Sequence, residues 1–238
     1  METKTIVVLA NSVKKGGRCL AGKEVTRVRE EKWKVNNWIR PVGDAAGAEI
    51  AVPLMNRCLG REPRLLEIIE VSLESAVPLP DQPENWVVDR RQEWKSLGDF
   101  PWRDIGSLID SPAVLWDSTG SRRLQGGFPQ KMQTPASLYL IRPEEFVSIK
   151  VWAEPNPFES GKVKRHRQLQ LRYAGVIHDL DVTDPEFVRK YFPKFPAVSA
   201  PELKIELERP GETLVCASLT PEFRGYHYKL AAGFISPP

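Results

Sequence analysis

Near the start of the chain stands Ile6-Val7-Val8-Leu9-Ala10-Asn11-Ser12-Val13-Lys14-Lys15-Gly16-Gly17-Arg18-Cys19, a short apolar run followed by a flexible, basic turn. The apolar run predicts a buried strand. Glycines let backbone N–H groups approach an anion closely, while lysine and arginine neutralise its charge. The segment therefore predicts a strand end that holds phosphate, with five candidate contacts: Asn11, Ser12, Lys14, Lys15 and Arg18.

The same turn contains a stretch, Gly17 to Glu24, that resembles a phosphate-binding loop in its spacing of glycine, four residues, glycine and lysine. Glu24, however, stands where the magnesium-holding serine or threonine belongs, and its carboxylate would face the negative charge of a nucleotide. The β-branched residues Val25, Thr26 and Val28 also disfavour the helix that should follow. We therefore do not expect a nucleoside triphosphatase.

Composition sets limits on fold and location. A chain of 238 residues that is 41% hydrophobic can form one large domain or two small ones. Its formal net charge is only +3, so any binding of nucleic acid must rest on local patches. Without a signal-peptide pattern or an apolar run of about 20 residues, we expect a cytoplasmic protein that does not bind membranes. The odd count of three scattered cysteines, Cys19, Cys58 and Cys216, fits a reducing compartment.

Proline and glycine divide the sequence into short pieces, since the chain has 21 of the first and 16 of the second. Such punctuation favours many short strands over long helices, so we predict a mainly β, β-rich α+β fold. Residues 203–208 alternate between apolar and charged types and should form a hairpin with residues 213–219 across Pro210-Gly211. The predicted strands cover residues 5–11, 35–42, 65–72, 137–141, 147–153, 168–177, 203–208, 213–219 and 228–235.

Helices should be few and short. The segment Thr183-Asp184-Pro185-Glu186-Phe187 offers a hydroxyl or a carboxylate as the cap, a proline at the first helical position and a glutamate three residues after the threonine. This is a capping-box start for a helix that ends by Phe192. Two further short helices are expected within residues 89–97 and 102–109. The polar, glycine-rich stretch that follows is the best linker candidate, and it divides the chain into a first domain over 1–120, a linker over 121–135 and a second domain over 136–238.

Metal sites have weak support in the sequence. The histidines and cysteines show no pair at ligand spacing, so we expect neither a metal nor a cofactor. Asp179, Asp181, Glu202 and Lys204 include the acid-x-lysine spacing that some magnesium nucleases use. Aspartates before a helix are more often caps, and Lys204 lies on an ordinary amphipathic strand. A metal-dependent nuclease therefore remains an alternative function.

Basic residues near aromatic ones form a more consistent pattern. The segment 162–167 carries four lysines and arginines with His166 and leads into a strand with Arg172 and Tyr173. Such a loop beside an open sheet suits single-stranded nucleic acid, because cations hold the backbone and aromatic rings stack on bases. A solvated hairpin loop and core aromatics are the alternative interpretation. The same combination recurs in Trp38 with Arg40 and in Arg224 with Tyr226.

Several of these segments together resemble the bacterial dual OB-containing domain family. The similar segments are residues 6–19 with Ala21-Gly22, Trp38-Ile39-Arg40-Pro41-Val42, and Cys216-Ala217-Ser218-Leu219-Thr220 with Phe223, Gly225 and Tyr228-Lys229-Leu230. The resemblance implies two tandem five-stranded OB-like small barrels with a few short helices. It also implies a role in binding nucleic acid or nucleotides, including in genome defence.

We therefore expect a non-catalytic binding module for nucleic acid, preferably single-stranded, or for a nucleotide-like ligand. OB barrels bind oligonucleotides on an exposed sheet face flanked by loops. A protein-interaction adaptor is a further alternative, since arginine and aromatic residues also anchor protein partners. The candidate ligand-binding residues are Asn11, Ser12, Lys14, Lys15, Arg18, Trp38, Arg40, Arg172, Tyr173, Arg224 and Tyr226.

Overall fold

A computed structural model describes residues 1–14, 16–29, 32–127, 136–156, 161–192, 198 and 203–238. Two β-barrel units follow one another along the chain. The first contains β1 (Glu2–Lys14), β2 (Gly17–Arg29), β3 (Lys32–Val42), β4 (Glu67–Ala76) and β5 (Asn85–Val88).

The first unit is a closed barrel. Its strands follow the order β1-β2-β3-β5-β4, and β1 also pairs with β4, which closes the sheet. Only β3 and β5 run parallel; the other pairs are antiparallel. Helix α1 (Val52–Leu59) lies between β3 and β4 in the chain, and β6 (Lys95–Asp99) adds to the sheet beside β4. A 3-10 helix follows over Trp102–Leu108.

The second unit repeats this strand order, although β9 and β13 do not pair within the described residues. β9 (Glu145–Pro155), β10 (Val163–Tyr173), β11 (Val176–Val182), β13 (Leu214–Leu219) and β14 (Tyr226–Ile235) follow the order β9-β10-β11-β14-β13. Helix α2 (Pro185–Tyr191) lies between β11 and β13, and β11 and β14 are the parallel pair.

Short strands extend the edges of the second sheet. β12 (Leu203–Ile205) pairs with β9, β8 (Leu138–Ile141) pairs with β13, and β7 (Arg123–Gln125) pairs with β14. Both units therefore share one strand order, one parallel pair and one helix position. The predicted mainly β fold with two OB-like five-stranded barrels is confirmed.

The two barrels share part of their hydrophobic core. Each has its own interior, but a third buried cluster lies between them. In that cluster, residues on the outer side of the first barrel pack against β8, β13 and β14 of the second. Its members include Val7, Leu9, Ala21 and Val25 from one side and Leu138, Leu140, Leu214, Cys216 and Ile235 from the other.

Most predicted strands are confirmed, but the hairpin between residues 203–208 and 213–219 is wrong. β12 instead pairs with β9, while β13 pairs with β8 and β14. Every residue of β13 is buried, so this strand needs neighbours on both sides. The alternating, partly exposed β12 is suited to an edge.

Two further predictions of local structure are wrong. Residues 89–97 form no helix: Asp89 accepts a hydrogen bond from the backbone N–H of Arg91 in a turn, and Lys95–Asp99 is strand β6. The predicted strand over 168–177 is two strands, because Ala174 and Gly175 turn the chain with φ angles of 49° and 75°.

The predicted helix after Thr183 is confirmed as α2, and of the two candidate caps the carboxylate is the one used. Asp184 accepts hydrogen bonds from the backbone N–H groups of Glu186 and Phe187, at 2.9 and 3.1 Å. The expected helix within 102–109 is confirmed as the 3-10 helix.

Part of the predicted linker lies against the second barrel. Arg123–Gln125 pairs with β14, and the carbonyl of Gly120 accepts a hydrogen bond from the N–H of Asp179. Residues 128–135 of the predicted linker lie outside the described residues. The division at 120 and 136 stays a prediction.

The described cysteines form no disulfide, and no helix in the described ranges has the length and apolar character needed to cross a membrane.

The contact between barrels requires glycine at position 233. A Cβ atom there would lie 2.4 Å from the carbonyl oxygen of Leu9, a backbone atom that cannot move aside without shifting β1. We expect Gly233→Ala to lower the free energy of unfolding by about 1–3 kcal/mol, as overpacking does. Urea denaturation measures this loss. Gly211→Ala is the matched control, because nothing lies within 4 Å of its Cβ position; equal midpoints for the two variants would contradict the prediction.

Candidate ligand-binding site

The outer face of the first barrel is occupied by the fold itself. Lys23 and Trp38 are cross-strand partners on β2 and β3, and both contact Asp110 of the segment between the barrels. Lys23 Nζ lies 2.6 Å from Asp110 Oδ1, and Trp38 Nε1 donates to Oδ2 at 3.1 Å. Asp110 Oδ2 also accepts a hydrogen bond from the N–H of Leu140 at 2.8 Å. The structure therefore places Trp38, a predicted stacking residue, in a junction between the barrels.

Arg40 has a similar position. Only 5% of it is exposed, and its guanidinium binds the carboxylate of Glu84, with Nη2 at 2.9 Å from Oε1. Nη2 also donates to the hydroxyl groups of Ser137 and Ser218, at 2.6 and 3.5 Å. Ser137 donates in turn to Glu84. Arg40 lies on β3 of the first barrel and Ser218 lies on β13 of the second. This buried network therefore joins the two units.

The phosphate candidates at the first turn separate into two groups. Arg18 forms an ion pair with Glu62, and the amide of Asn11 donates to the carbonyl of Pro63 at 3.0 Å. Both therefore hold the loop before β4, and the Arg18 charge is balanced. Lys15 lies outside the described residues.

Ser12 and Lys14 line a cleft between the two barrels, with a volume of about 570 Å³. Lys14 Nζ donates to the carbonyl of Gly47 at 3.2 Å. Arg40 borders the same cleft. Three of the eleven candidate residues thus meet at this cleft, where the end of β1 faces the second barrel.

The opposite wall of the cleft comes from the second barrel. It consists of the loop between β13 and β14, residues 219–223, together with Tyr228 and Leu230 of β14. Phe223 is 59% exposed. The cleft therefore combines polar groups from β1 with an apolar and aromatic wall from β14 and its preceding loop.

A second candidate surface is the outer face of the second barrel. On β9, Lys150 and Trp152 alternate with the buried residues Ile149, Val151 and Ala153, and on β10, Lys164 and His166 pair across from Glu154 and Trp152. Trp152 and His166 are cross-strand partners whose rings stack at 4.7 Å with planes 6° apart. We call this surface, with Gln168 of β10 and Lys204 of β12, the open face, because its side chains are half-buried or exposed.

The remaining candidates lie away from that stack. Arg172 forms an ion pair with Glu145, and the Tyr173 hydroxyl donates to the carbonyl of Pro112 at 2.8 Å. Arg224 lies over the exposed ring of Phe223, at 5.2 Å from its centroid. Tyr226 is 37% exposed and lies under Arg123, at 4.5 Å. Arg224 and Tyr226 therefore flank the cleft, while Arg172 and Tyr173 do not.

The nuclease candidates do not converge in the described part of the chain. Asp181 forms an ion pair with Arg122, although burial raises the pKa of its carboxyl overall. Asp179 accepts a hydrogen bond from Gln170. Lys204 lies three strands from Asp181, about 14 Å at the usual strand spacing. Glu202 lies outside the described residues, among which no three His, Cys, Asp or Glu side chains could share a metal ion.

The sequence analysis does not identify Trp152 as a candidate, and it treats His166 only as part of a run of charged residues. Their stack depends on the register between β9 and β10. The usable signal was the alternation around Trp152, since Ile149, Val151 and Ala153 point to the core.

The interior of the second barrel holds a buried polar group. Lys229 is fully buried, and its Nζ lies 2.7 Å from Asp117 Oδ1 and 3.4 Å from His178 Nδ1. Burial lowers the pKa of Lys229. Burial and the nearby Lys229 charge lower the pKa of His178 from 6.5 to about 4. His178 is therefore neutral at neutral pH.

A family model supports the duplicated architecture. The model of the dual OB-containing domain matches residues 4–234, nearly the whole length. No curated protein and no solved structure matches the chain.

His178 should make the protein less stable in acid. The pKa of His178 is about 4 in the folded protein, against the ordinary value of 6.5 that applies to the unfolded chain. As the pH falls, the unfolded chain therefore takes up a proton on this histidine before the folded protein does. Its contribution of about 3 kcal/mol is fully present above pH 6.5 and is lost progressively as the pH falls to 4. Urea unfolding of the native chain and of His178→Gln between pH 7 and 4 measures it. We expect a shallower pH slope for the variant; identical slopes would refute the assignment.

Proposed function

Because the chain belongs to the dual OB-containing domain family, we propose that it is a non-catalytic binding module for single-stranded nucleic acid. The observation that carries the proposal is the Trp152–His166 stack on the open face, with Lys150, Lys164 and Glu154 on the neighbouring positions. OB barrels bind oligonucleotides on the face of their second and third strands, and β10, which carries His166, is the second strand of this barrel.

The two barrels differ in whether that sheet face is available. In the first barrel, outward residues such as Val7, Ala21 and Val25 are buried in the cluster between the barrels. In the second, the equivalent strands β9 and β10 carry half-buried or exposed polar and aromatic side chains. This difference supports binding on the second barrel, with the first acting as its support.

The charges of the open face favour an anion. Lys204 and Lys150 are cross-strand partners on β12 and β9. Both ammonium groups can approach one backbone phosphate from this face. Lys164 lies further along β10 with half of its side chain exposed, but its Nζ is 3.9 Å from Glu154 Oε1, which also lies 2.8 Å from His166 Nε2. Its charge is therefore balanced, and a nucleic-acid backbone across the strands would meet Lys204 and Lys150 in turn.

Stacking would supply the second part of the affinity. A base on an aromatic side chain contributes about 1–3 kcal/mol and tolerates any base identity. The Trp152 and His166 rings stack face to face, and one base would continue this stack on an outer ring face. The proposal therefore predicts little sequence preference.

Replacing Trp152 should weaken binding of a fluorescent oligothymidylate. We expect Trp152→Ala to raise the dissociation constant about 5- to 150-fold, the equivalent of one lost stacking contact. Fluorescence anisotropy at low salt measures the change, with circular dichroism as the test of folding. No binding of DNA or RNA single strands by the native chain at any salt concentration would overturn the proposal, and cleavage of the probe with magnesium or manganese would overturn its non-catalytic part.

The salt dependence tests the lysines separately. Each phosphate contact on single strands contributes about −0.7 to the slope of log affinity against log salt. Lys204→Ala, a substitution on an exposed edge strand, should make that slope shallower by about this amount. Lys34→Ala is the control, because Lys34 is an exposed lysine on β3 of the first barrel. Equal slopes for the two variants would exclude Lys204 as a phosphate contact.

A further inference from the structure

The polar end of the inter-barrel cleft is built by alternate residues of β1. Ser12 and Lys14 point to the same side of the strand, as residues two apart do. Ser12 is 3% exposed as a residue, but its hydroxyl oxygen is not among the buried polar atoms that lack a partner, so it opens into the cleft that it lines. The hydroxyl is therefore accessible to a ligand in the cleft.

Lys14 has unused capacity beside this hydroxyl. An ammonium group has three donors, and the described structure gives Lys14 one acceptor, the carbonyl of Gly47. No carboxylate of the described residues forms an ion pair with it. Arg40, which also borders the cleft, differs because Glu84 balances its charge. Lys14 is therefore the group that would hold a negative charge in the cleft.

The opposite wall suits a flat, largely apolar group. Leu219, Leu230 and Tyr228 line it, and Phe223 extends it at the rim with 59% of its surface exposed. The turn that presents Phe223 is fixed by paired hydrogen bonds with Tyr226, at 2.8 and 3.2 Å between backbone N and O atoms. Aromatic side chains in such a position can stack on a base.

Two acidic residues limit the charge that the cleft accepts. Glu49 and Glu222 also line it, and their carboxylates would repel a second or third phosphate. The volume of about 570 Å³ is in the range of small-molecule sites. The lining thus favours a ligand with one phosphate and one ring system.

We propose that the cleft binds a single nucleotide unit with one terminal phosphate, which contacts Lys14 and Ser12 while the base lies against Phe223 and Tyr228. This proposal rests on the proposed binding of nucleic acid, since the same chemistry is present in a free mononucleotide and at the phosphorylated end of a strand. It is a separate site from the open face.

Calorimetric titration of the full chain with AMP tests the cleft. We expect AMP to bind. ATP should bind at least about tenfold more weakly because of its additional phosphate charge, and adenosine should do the same because it has no phosphate. Lys14→Ala and Phe223→Ala should each weaken AMP about tenfold, and Lys34→Ala should leave its affinity unchanged. Phe223 is exposed, so its variant keeps the fold even where the Lys14 variant fails to. Unchanged AMP affinity in either folded cleft variant would overturn the proposal.

A decamer of thymidylate with and without a 5′ phosphate distinguishes the two sources. A gain of affinity from the phosphate that disappears in Lys14→Ala identifies a strand end as the occupant, whereas AMP binding without such a gain identifies a free mononucleotide. No AMP binding together with no gain from the phosphate would overturn the cleft proposal. Trp152→Ala separates the two sites: it should weaken the decamer and leave AMP binding intact, so either site can fail without the other.

Discussion

The apolar contact between the barrels is the constraint on which the rest of the structure depends. β1 and β2 expose valine, leucine and alanine on the outside of the first barrel, and these side chains pack against β8, β13 and β14. Burial of such surface is worth roughly 25 cal/mol per Å². The contact is close enough that Gly233 meets the backbone of Leu9. It determines which sheet face is used up and which is left for a ligand.

Polar groups in this contact are paired. Arg40 with Glu84 and Lys23 with Asp110 are ion pairs with mostly buried lysine and arginine side chains. Removal of one partner from a buried pair is costly, because the other charge stays without compensation. These pairs therefore fix the position of one barrel on the other. Several residues that look like ligand contacts in the sequence serve this purpose instead.

The sequence predicts the class of fold well, because short apolar runs between prolines and glycines form strands whichever neighbours they pair with. It predicts pairing poorly. The sequence analysis does not predict β2, because Gly22 and the charged residues around it obscure the strand pattern. This glycine is needed for the close approach of β1, since a Cβ at position 22 would lie 2.1 Å from the Val7 carbonyl oxygen. Helix α1 was also missed, because it has Pro53 at its start and is only eight residues long.

The candidate site shows the same limit. Lys14 and Ser12 were accessible to sequence reasoning, since a basic turn after a strand has a recognisable composition. Trp38 and Arg40 have the same composition, yet their carboxylate partners, Asp110 and Glu84, lie 72 and 44 residues away. Whether a cation is balanced depends on such long-range neighbours, which no local pattern contains. The stack on the open face likewise depends on strand register.

The shared core also has a consequence for how the repeated halves can diverge. Two copies of a barrel that fold side by side usually tolerate change independently, but here the outer surface of one copy has become the interior of the pair. A substitution on β1 must therefore also fit β14, which lies more than 200 residues later in the chain. In such an arrangement the barrel whose outer face is buried tolerates few substitutions and serves as a scaffold. The other barrel can change the residues of its exposed face and so its ligand.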